Sequence, residues 1–206
     1  MPAAGRDWLL PFYDLFAKRF GFDAYRRALV EPAGVRAGQR VLDIGCGTGS
    51  LVVLLARAHP GVEVVGLDPD LKALARAERK ARKARVNVRL DQGFAQQLPY
   101  APATFDHVFS SFMLHHLQPE QKLQALREVR RVLKLGGRVH VVDFGGAGAP
   151  PGGVLARVLH IAQHTADNFR GRIVALMTEA GLAGATEVGH APTLFGPIAW
   201  YRATAS

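Results

Sequence analysis

Cysteine is nearly absent from this chain. Cys46 is the one thiol among 206 residues, which excludes an internal disulfide, a thiolate metal cluster and arsenic chemistry that needs several thiols. Long apolar runs are missing as well. None approaches the ~20 residues that span a bilayer, and the opening stretch MPAAGRDWLLPFYDLF lacks the basic segment and long apolar core of a secretory leader. A cytoplasmic protein is therefore expected. Acidic residues are outnumbered, 17 Asp and Glu against 26 Lys and Arg, for a formal net charge of +9. Such an excess suits nucleic acid, an anionic membrane surface or a phosphate-bearing partner. Low-complexity tracts and internal repeats are also lacking, and 49% hydrophobic residues suffice for one globular core.

Much of the positive charge lies in LARAERKARKARVNVR, with Arg76, Arg79, Lys80, Arg82, Lys83, Arg85 and Arg89. At helical spacing, Leu71, Leu74, Ala77, Ala81 and Ala84 form an apolar stripe and most cations fall off it. The solvated face of an amphipathic helix explains this better than a nucleic-acid patch. No aromatic residues interleave with the charges to stack bases.

Along the chain, strand and helix patterns alternate. Residues around 6–31 read as one or two helices broken near Gly21. GQRVLDIG, VEVVGLD, VNVRLDQG, FDHVFSS and RVHVVDF read as strands. SLVVLLARAH, DPDLKALARAERKARKA and PEQKLQALREVRRVL read as the helices between them, with Pro69 in the first turn of the second and Gly136–Gly137 stopping the third. This alternation predicts an α/β, Rossmann-like, doubly wound and mostly parallel sheet. A Gly/Pro-rich break, GGAGAPPGG, precedes helical material over about 154–181. The final ATEVGHAPTLFGPIAWYRATA reads as an antiparallel hairpin, giving seven strands in all.

The ligand loop of such a sheet follows its first strand. Here it is VLDIGCGTGS, with Gly45, Gly47 and Gly49 on alternate positions and Asp43 just ahead. The dinucleotide fingerprint G-x-G-x-x-G does not fit, because the third glycine comes one position early. A pyrophosphate would also find Asp43 a poor neighbour. A carboxylate there suits a ligand that carries a cation. Asp68, at the end of the second strand, stands where an acid accepts both hydroxyls of a ribose. A cationic ribose nucleoside without phosphate is S-adenosyl-L-methionine.

VLDIGCGTGS resembles the first motif of the class I S-adenosyl-L-methionine-dependent methyltransferases, and the likeness runs from about residue 38 to 144. GFAQQLPYAPATFDHVFSSFMLHH and LREVRRVLKLGGRVHVVDF are similar to stretches of the subgroup containing ubiquinone/menaquinone-biosynthesis methyltransferases and small lipid N-methyltransferases. The resemblance implies that Gly45 and Gly47 approach the methionine part and ribose, while Gly49 lets helix and strand pack. It implies Asp43 near the cationic end, Asp68 on the ribose, Pro69 against the adenine and the Ala95 N–H on an adenine ring nitrogen. Ser110 would face the methionine part. One position departs from the family pattern, since Phe94 replaces the usual acid before Ala95. Phe94 packing on the adenine, or Gln96 or Asp91 accepting the hydrogen bond from its amino group, would compensate. The resemblance also implies an N-terminal lid, residues 1–37, over a cofactor core, 38–144, with substrate-side helix and hairpin in 145–206.

The expected reaction moves a methyl group from S-adenosyl-L-methionine to a small-molecule or lipid-like acceptor by in-line displacement, leaving S-adenosyl-L-homocysteine. A base is needed when the nucleophile arrives protonated. His115, His116, Asp143 and Tyr13 are the candidates. Capping or packing competes as an explanation for the two histidines, and satisfaction by backbone N–H groups for Asp143. His107 reads as a core residue. His160 and His164 lie one turn apart but lack a third ligand, so no metal is expected. An RNA methyltransferase is the alternative that the charge suggests, although SSFM stands where the Asn/Asp-Pro-Pro-Tyr/Phe signature of amino-group methylation would fall. A non-catalytic protein that binds the cofactor is the third reading.

Overall fold

The computed structural model describes residues 21–146, 168, 171–193 and 196–206. The proposed lid residues Trp8 to Phe20, with Tyr13, therefore lie outside the described residues, as do His160 and His164. The chain enters through helix α1 (Phe22–Val30), started by Gly21, and a 3-10 turn over Glu31–Ala33. Then follow strand β1 (Arg40–Ile44), helix α2 (Ser50–Ala58), strand β2 (Glu63–Asp68), helix α3 (Leu71–Ala84), and strands β3 (Arg89–Gln92) and β4 (Phe105–Ser111). After a 3-10 turn over Leu114–His116 come helix α4 (Pro119–Val132), strand β5 (Leu133–Phe144), helix α5 (Arg172–Glu179), and strands β6 (Leu182–Ala191) and β7 (Ile198–Ala205).

All seven strands form one sheet in the order β3-β2-β1-β4-β5-β7-β6. The first five pair in parallel, while β7 inserts antiparallel between β5 and β6. This is the expected doubly wound sheet with its terminal hairpin. Apolar residues alternate between its faces, as a sheet covered on both sides requires. Leu42, Ile44, Val65 and Val108 pack with Leu126, Val129, Ile173 and Leu176 from α4 and α5. Val41, Val64, Phe109 and Val142 pack on the other face with Leu29, Leu51, Val52 and Leu55 from α1 and α2.

Three local expectations need correction. Pro69 precedes α3 rather than sitting in its first turn, because Asp70 is the cap, accepting from the N–H groups of Lys72 and Ala73. Leu71 is 61% exposed; it sits at the very start of the helix, and Ala73 takes the inward position beside Leu74, Ala77 and Ala81. Gly136 and Gly137 do not stop α4. That helix ends where Leu133 turns extended, and the glycines lie inside β5. There the pairing with β4 jumps from Phe105–Leu133 to His107–Arg138. A β-carbon on Gly137 would come within 2.8 Å of the Lys134 carbonyl oxygen and 3.1 Å of that of Asp106, so the glycines serve this bulge.

Candidate functional site

The loop between β1 and α2 is pinned at the carboxyl edge of the sheet. The N–H groups of Gly45 and Cys46 both donate to the Leu67 carbonyl, at 2.8 and 3.0 Å. Gly45 and Gly49 adopt φ of +69° and +79°, the left-handed region that glycine enters without strain. Asp68 is buried, and its two oxygens accept from the N–H groups of Gly47 (2.8 Å) and Asp70 (2.9 Å). Burial raises its pKa despite these bonds. The acid therefore organises the loop. From behind, Lys80 of α3 donates to Thr48 Oγ1 at 3.2 Å and Ser50 Oγ at 2.9 Å. One member of the basic run is thus turned inward to brace the loop, and another, Arg82, pairs with Glu78. The run is the charged face of a packed helix.

Asp43 is 1% exposed and its Oδ1 has no hydrogen-bond partner. Desolvation holds its pKa well above the usual carboxylate range; the charge of Arg26 opposes this and that of Asp68 adds to it. Ser110 is fully buried with an unpartnered Oγ. Strand alternation separates the two: Asp43 is in register with Phe109, and Ser110 with Ile44, so they occupy opposite faces of the sheet. Orphaned buried polar atoms are costly, and these two stand at the strand ends where a cationic ligand would lie. The residues present therefore fit the cofactor inferred from the sequence.

In the segment after β3, Ala95 is buried but Phe94 is 58% exposed. Phe94 lines a shallow groove with Gln96, Gln97, Gln121 and Gln124. Asp91 is occupied by Arg89 and by the Tyr100 hydroxyl at 3.0 Å, which leaves Gln96 the freer of the two compensating candidates. Pro69 caps β2 beside this region, its carbonyl accepting from Gln92 Nε2. The loop itself is clamped by two residues that sequence reasoning missed. Glu128 Oε2 accepts from the Leu98 N–H at 2.7 Å, while Arg131 donates to the carbonyls of Leu98 and Tyr100 at 2.9 and 2.7 Å. Their i, i+3 spacing on α4 accounts for their mutual ion pair but carries no signal of the loop they hold.

The base candidates come together beyond β4. His115 Nδ1 lies 2.6 Å from Asp143 Oδ1, and both residues are buried. Asp143 also accepts from the backbone N–H groups of Phe144 (2.7 Å) and His115 (3.3 Å). Backbone N–H groups thus satisfy Asp143, as one of the sequence explanations expects, and the carboxylate also meets the His115 ring. His116 is exposed and its ring lies 4.0 Å from that of His115. His107 is a core residue, as expected, stacked on Phe109 and on His140. The turn that carries His115 begins at Phe112, whose φ of +56° is strained for an aromatic residue. Its N–H donates to the Val142 carbonyl, and Phe22, Phe144 and Arg26 pack around its ring. Among the described residues, no group of three metal-ligating side chains exists, and no helix is long and apolar enough to cross a membrane.

A methyltransferase-domain family model matches residues 41–137. The demethylmenaquinone methyltransferase of Thermus thermophilus is 35% identical over 170 residues, covering 81% of this chain and 75% of that protein. The ubiquinone/menaquinone biosynthesis C-methyltransferase UbiE of Syntrophotalea carbinolica is 36% identical over 141 residues, covering 67% of this chain and 59% of its own length. Among solved structures, phosphoethanolamine N-methyltransferase 2 of Haemonchus contortus in complex with S-adenosyl-L-methionine superimposes with a TM-score of 0.68 at 25% identity. That match covers 80% of this chain and 38% of the other.

Proposed function

The chain belongs to the class I S-adenosyl-L-methionine-dependent methyltransferases, and from that premise we propose that its acceptor is a hydroxyl-bearing, lipid-like aromatic molecule of the quinol type, with His115 as general base. The cofactor supplies a methyl group already activated on a sulfonium. The protein's remaining tasks are alignment, exclusion of water and, for a protonated nucleophile, removal of a proton. The buried His115–Asp143 pair carries this reading. With Asp143 accepting the Nδ1–H, the imidazole presents Nε2 as an acceptor in a fixed orientation. A neutral amine needs no such group, whereas a ring hydroxyl does. Loss of that proton to Nε2 drives electron density onto the adjacent ring carbon, which can then take the methyl group; the ring proton leaves afterwards.

Two further observations support the acceptor class. Phe22, Phe112 and Phe144 pack edge to face or tilted beside His115 and would wall an aromatic ring. The names of the Thermus and Syntrophotalea relatives point to quinone precursors. The positive charge of the chain suits a cytoplasmic enzyme meeting such a lipid at an anionic membrane surface. For the cofactor, Asp68 takes the ribose hydroxyls, Gly45 and Gly47 give close backbone approach, and Ser110 faces the methionine part. Pro69 and the Ala95 N–H meet the adenine, beside Phe94. Tyr13 and the rest of the 1–37 segment would close the site from above.

The test uses demethylmenaquinol as acceptor and His115→Gln and Asp143→Asn variants. The expected result is a kcat lower by about 10²-fold or more, with S-adenosyl-L-homocysteine affinity within about threefold of wild type. A more acidic, fluorinated ring hydroxyl should recover much of the His115→Gln rate. Wild-type turnover by His115→Gln would sink the assignment of the base.

A further inference from the structure

Lys122, in the first turn of α4, is a lysine with 0% exposure. An ammonium taken out of water costs free energy that its hydrogen bonds must offset. Its Nζ donates to Asn168 Oδ1 at 2.8 Å, across 46 residues of sequence. Asn168 is itself fully buried, and its Nδ2 donates onward to the Phe144 carbonyl at 2.9 Å. The Asn168 carbonyl accepts from the Gly146 N–H at 3.3 Å and from the Tyr201 hydroxyl at 3.5 Å. At Gly145, between these bonds, a β-carbon would come within 3.0 Å of that hydroxyl and closer still to the Asn168 carbonyl oxygen. Asn168 therefore closes on the end of β5 through its side chain and its backbone together.

Phe144 is where this chain of bonds meets the His115–Asp143 pair. Its N–H donates to Asp143 Oδ1 at 2.7 Å, its carbonyl is held by Asn168, and its ring meets that of His115 edge to face at 5.2 Å. The same Oδ1 lies 2.6 Å from His115 Nδ1. His115 and Asp143 are carried by different elements, the turn that leads into α4 and the end of β5. The bonds from Lys122 through Asn168 to Phe144 join α4 to β5 a second time. So short a contact tolerates little sliding between its carriers, and a misplacement of about 1 Å can cost about 10²-fold in rate.

We propose that Lys122 and Asn168 are positioning residues that lock α4 to the end of β5, so that Asp143 keeps His115 in the tautomer whose Nε2 accepts the substrate proton. This rests on His115 as the base and adds to it two residues that act only through Phe144 and Asp143. An asparagine suits the middle of the chain, because its amide accepts from the lysine and donates to the carbonyl at once. An aspartate there would still accept from Lys122 but would turn an oxygen toward the Phe144 carbonyl. A leucine would do neither.

The experiment is nitrogen-15 NMR of the histidine rings in the full chain and in its Lys122→Met and Asn168→Asp variants, with His115→Gln to assign the signals. Methyl transfer to demethylmenaquinol and calorimetric titration with S-adenosyl-L-homocysteine are measured beside it. Neutral His115 in the wild type should show one tautomer, protonated at Nδ1. In both variants it should become a mixture of the Nδ1–H and Nε2–H forms. Their kcat should fall by about tenfold or more, with S-adenosyl-L-homocysteine affinity within about twofold of wild type. Asn168→Asp keeps a partner for the buried ammonium, so it decides the question where Lys122→Met does not fold. A wild-type His115 tautomer and kcat in the folded variants would overturn the proposal, leaving Lys122 and Asn168 as core residues whatever the melting temperature. Equal losses of kcat and of S-adenosyl-L-homocysteine affinity would overturn it as well, since the effect would then run through the fold. An Nε2–H tautomer in the wild-type chain would instead strike the base assignment beneath it, and the ring signals report this whichever acceptor the enzyme uses.

Discussion

At Gly49 a β-carbon would sit 2.7 Å from that of Ala77 and 2.9 Å from the Ala77 Cα. The contact is with helix backbone, which cannot rotate away, and φ is +79° as well. Left-handed strain and overpacking add, so Gly49→Ala should lower unfolding stability by about 2–4 kcal/mol. Urea denaturation measures this, and the variant should also lose S-adenosyl-L-homocysteine affinity, because the loop can relax only by leaving Lys80 and Asp68. At Gly45 the obstacle is the Met113 side chain, 2.2 Å from the built β-carbon. That glycine therefore lets the turn that carries His115 lie against the cofactor loop. Residues of this kind were legible in the sequence, since glycine spacing and flanking acids announce themselves locally. Arg26 was legible only in part: it falls on the helical stripe of Phe22, Leu29 and Val30, whereas Arg27 does not, but periodicity does not say what a buried guanidinium meets.

Between elements, the contact of β4 with β5 contains a buried histidine pair. His107 Nδ1 lies 3.2 Å from His140 Nε2, with the Phe109 ring stacked on both. Burial, then the Arg138 charge, lowers the pKa of His107 to about 4. Burial, then His107, Arg138 and Arg202, lowers that of His140 to about 3. The folded chain thus binds fewer protons here than the unfolded one, whose histidines titrate near pH ~6.5. The contribution to stability is complete above about pH 6.5 and is lost as pH falls toward 4. Urea midpoints should therefore drop between pH 7.5 and pH 5, and a His107→Phe/His140→Phe double variant should show a shallower drop. An unchanged pH slope in that variant would assign the acid sensitivity elsewhere. The sequence marked His107 as a core residue from its mid-strand position, but its partner depends on register across the bulge at Gly136–Gly137. For the same reason the Glu128–Arg131 clamp on Leu98 and Tyr100 was hidden: helix periodicity shows which residues share a face, not which loop passes over it.

Over the whole molecule, the C-terminal hairpin does more than end the sheet. Residues Ile198 to Thr204 of β7 pair with Phe144 to Arg138 along β5, and Ile198, Ala199, Tyr201 and Ala203 are buried. Trp200 Nε1 donates to the Tyr25 carbonyl at 3.1 Å, tying the last strand to α1 and so to Arg26. Lys122, Asn168 and the Phe144 carbonyl form a buried chain of hydrogen bonds at the end of β5, next to Asp143. Truncation before Leu182 should therefore abolish cooperative unfolding and leave an aggregation-prone β5 edge, measured by circular dichroism melting and light scattering. A soluble, cooperatively melting remnant would show that the parallel strands suffice alone.

By itself the sequence determined the strand–helix alternation, the parallel sheet with its hairpin, the cofactor loop with Asp43 and Asp68, and hence the cofactor class. Each of these is written in spacing over a few residues, where backbone geometry and hydrophobic period act directly. Only the tertiary structure decided that His115 meets Asp143, that Asp43 and Ser110 lie on opposite faces, that Lys80 turns inward and that Arg26 meets Ser111. Those pairings join residues up to 85 positions apart, as Arg26 and Ser111 are. They are set by sheet order, strand register and packing, which depend on the whole chain at once.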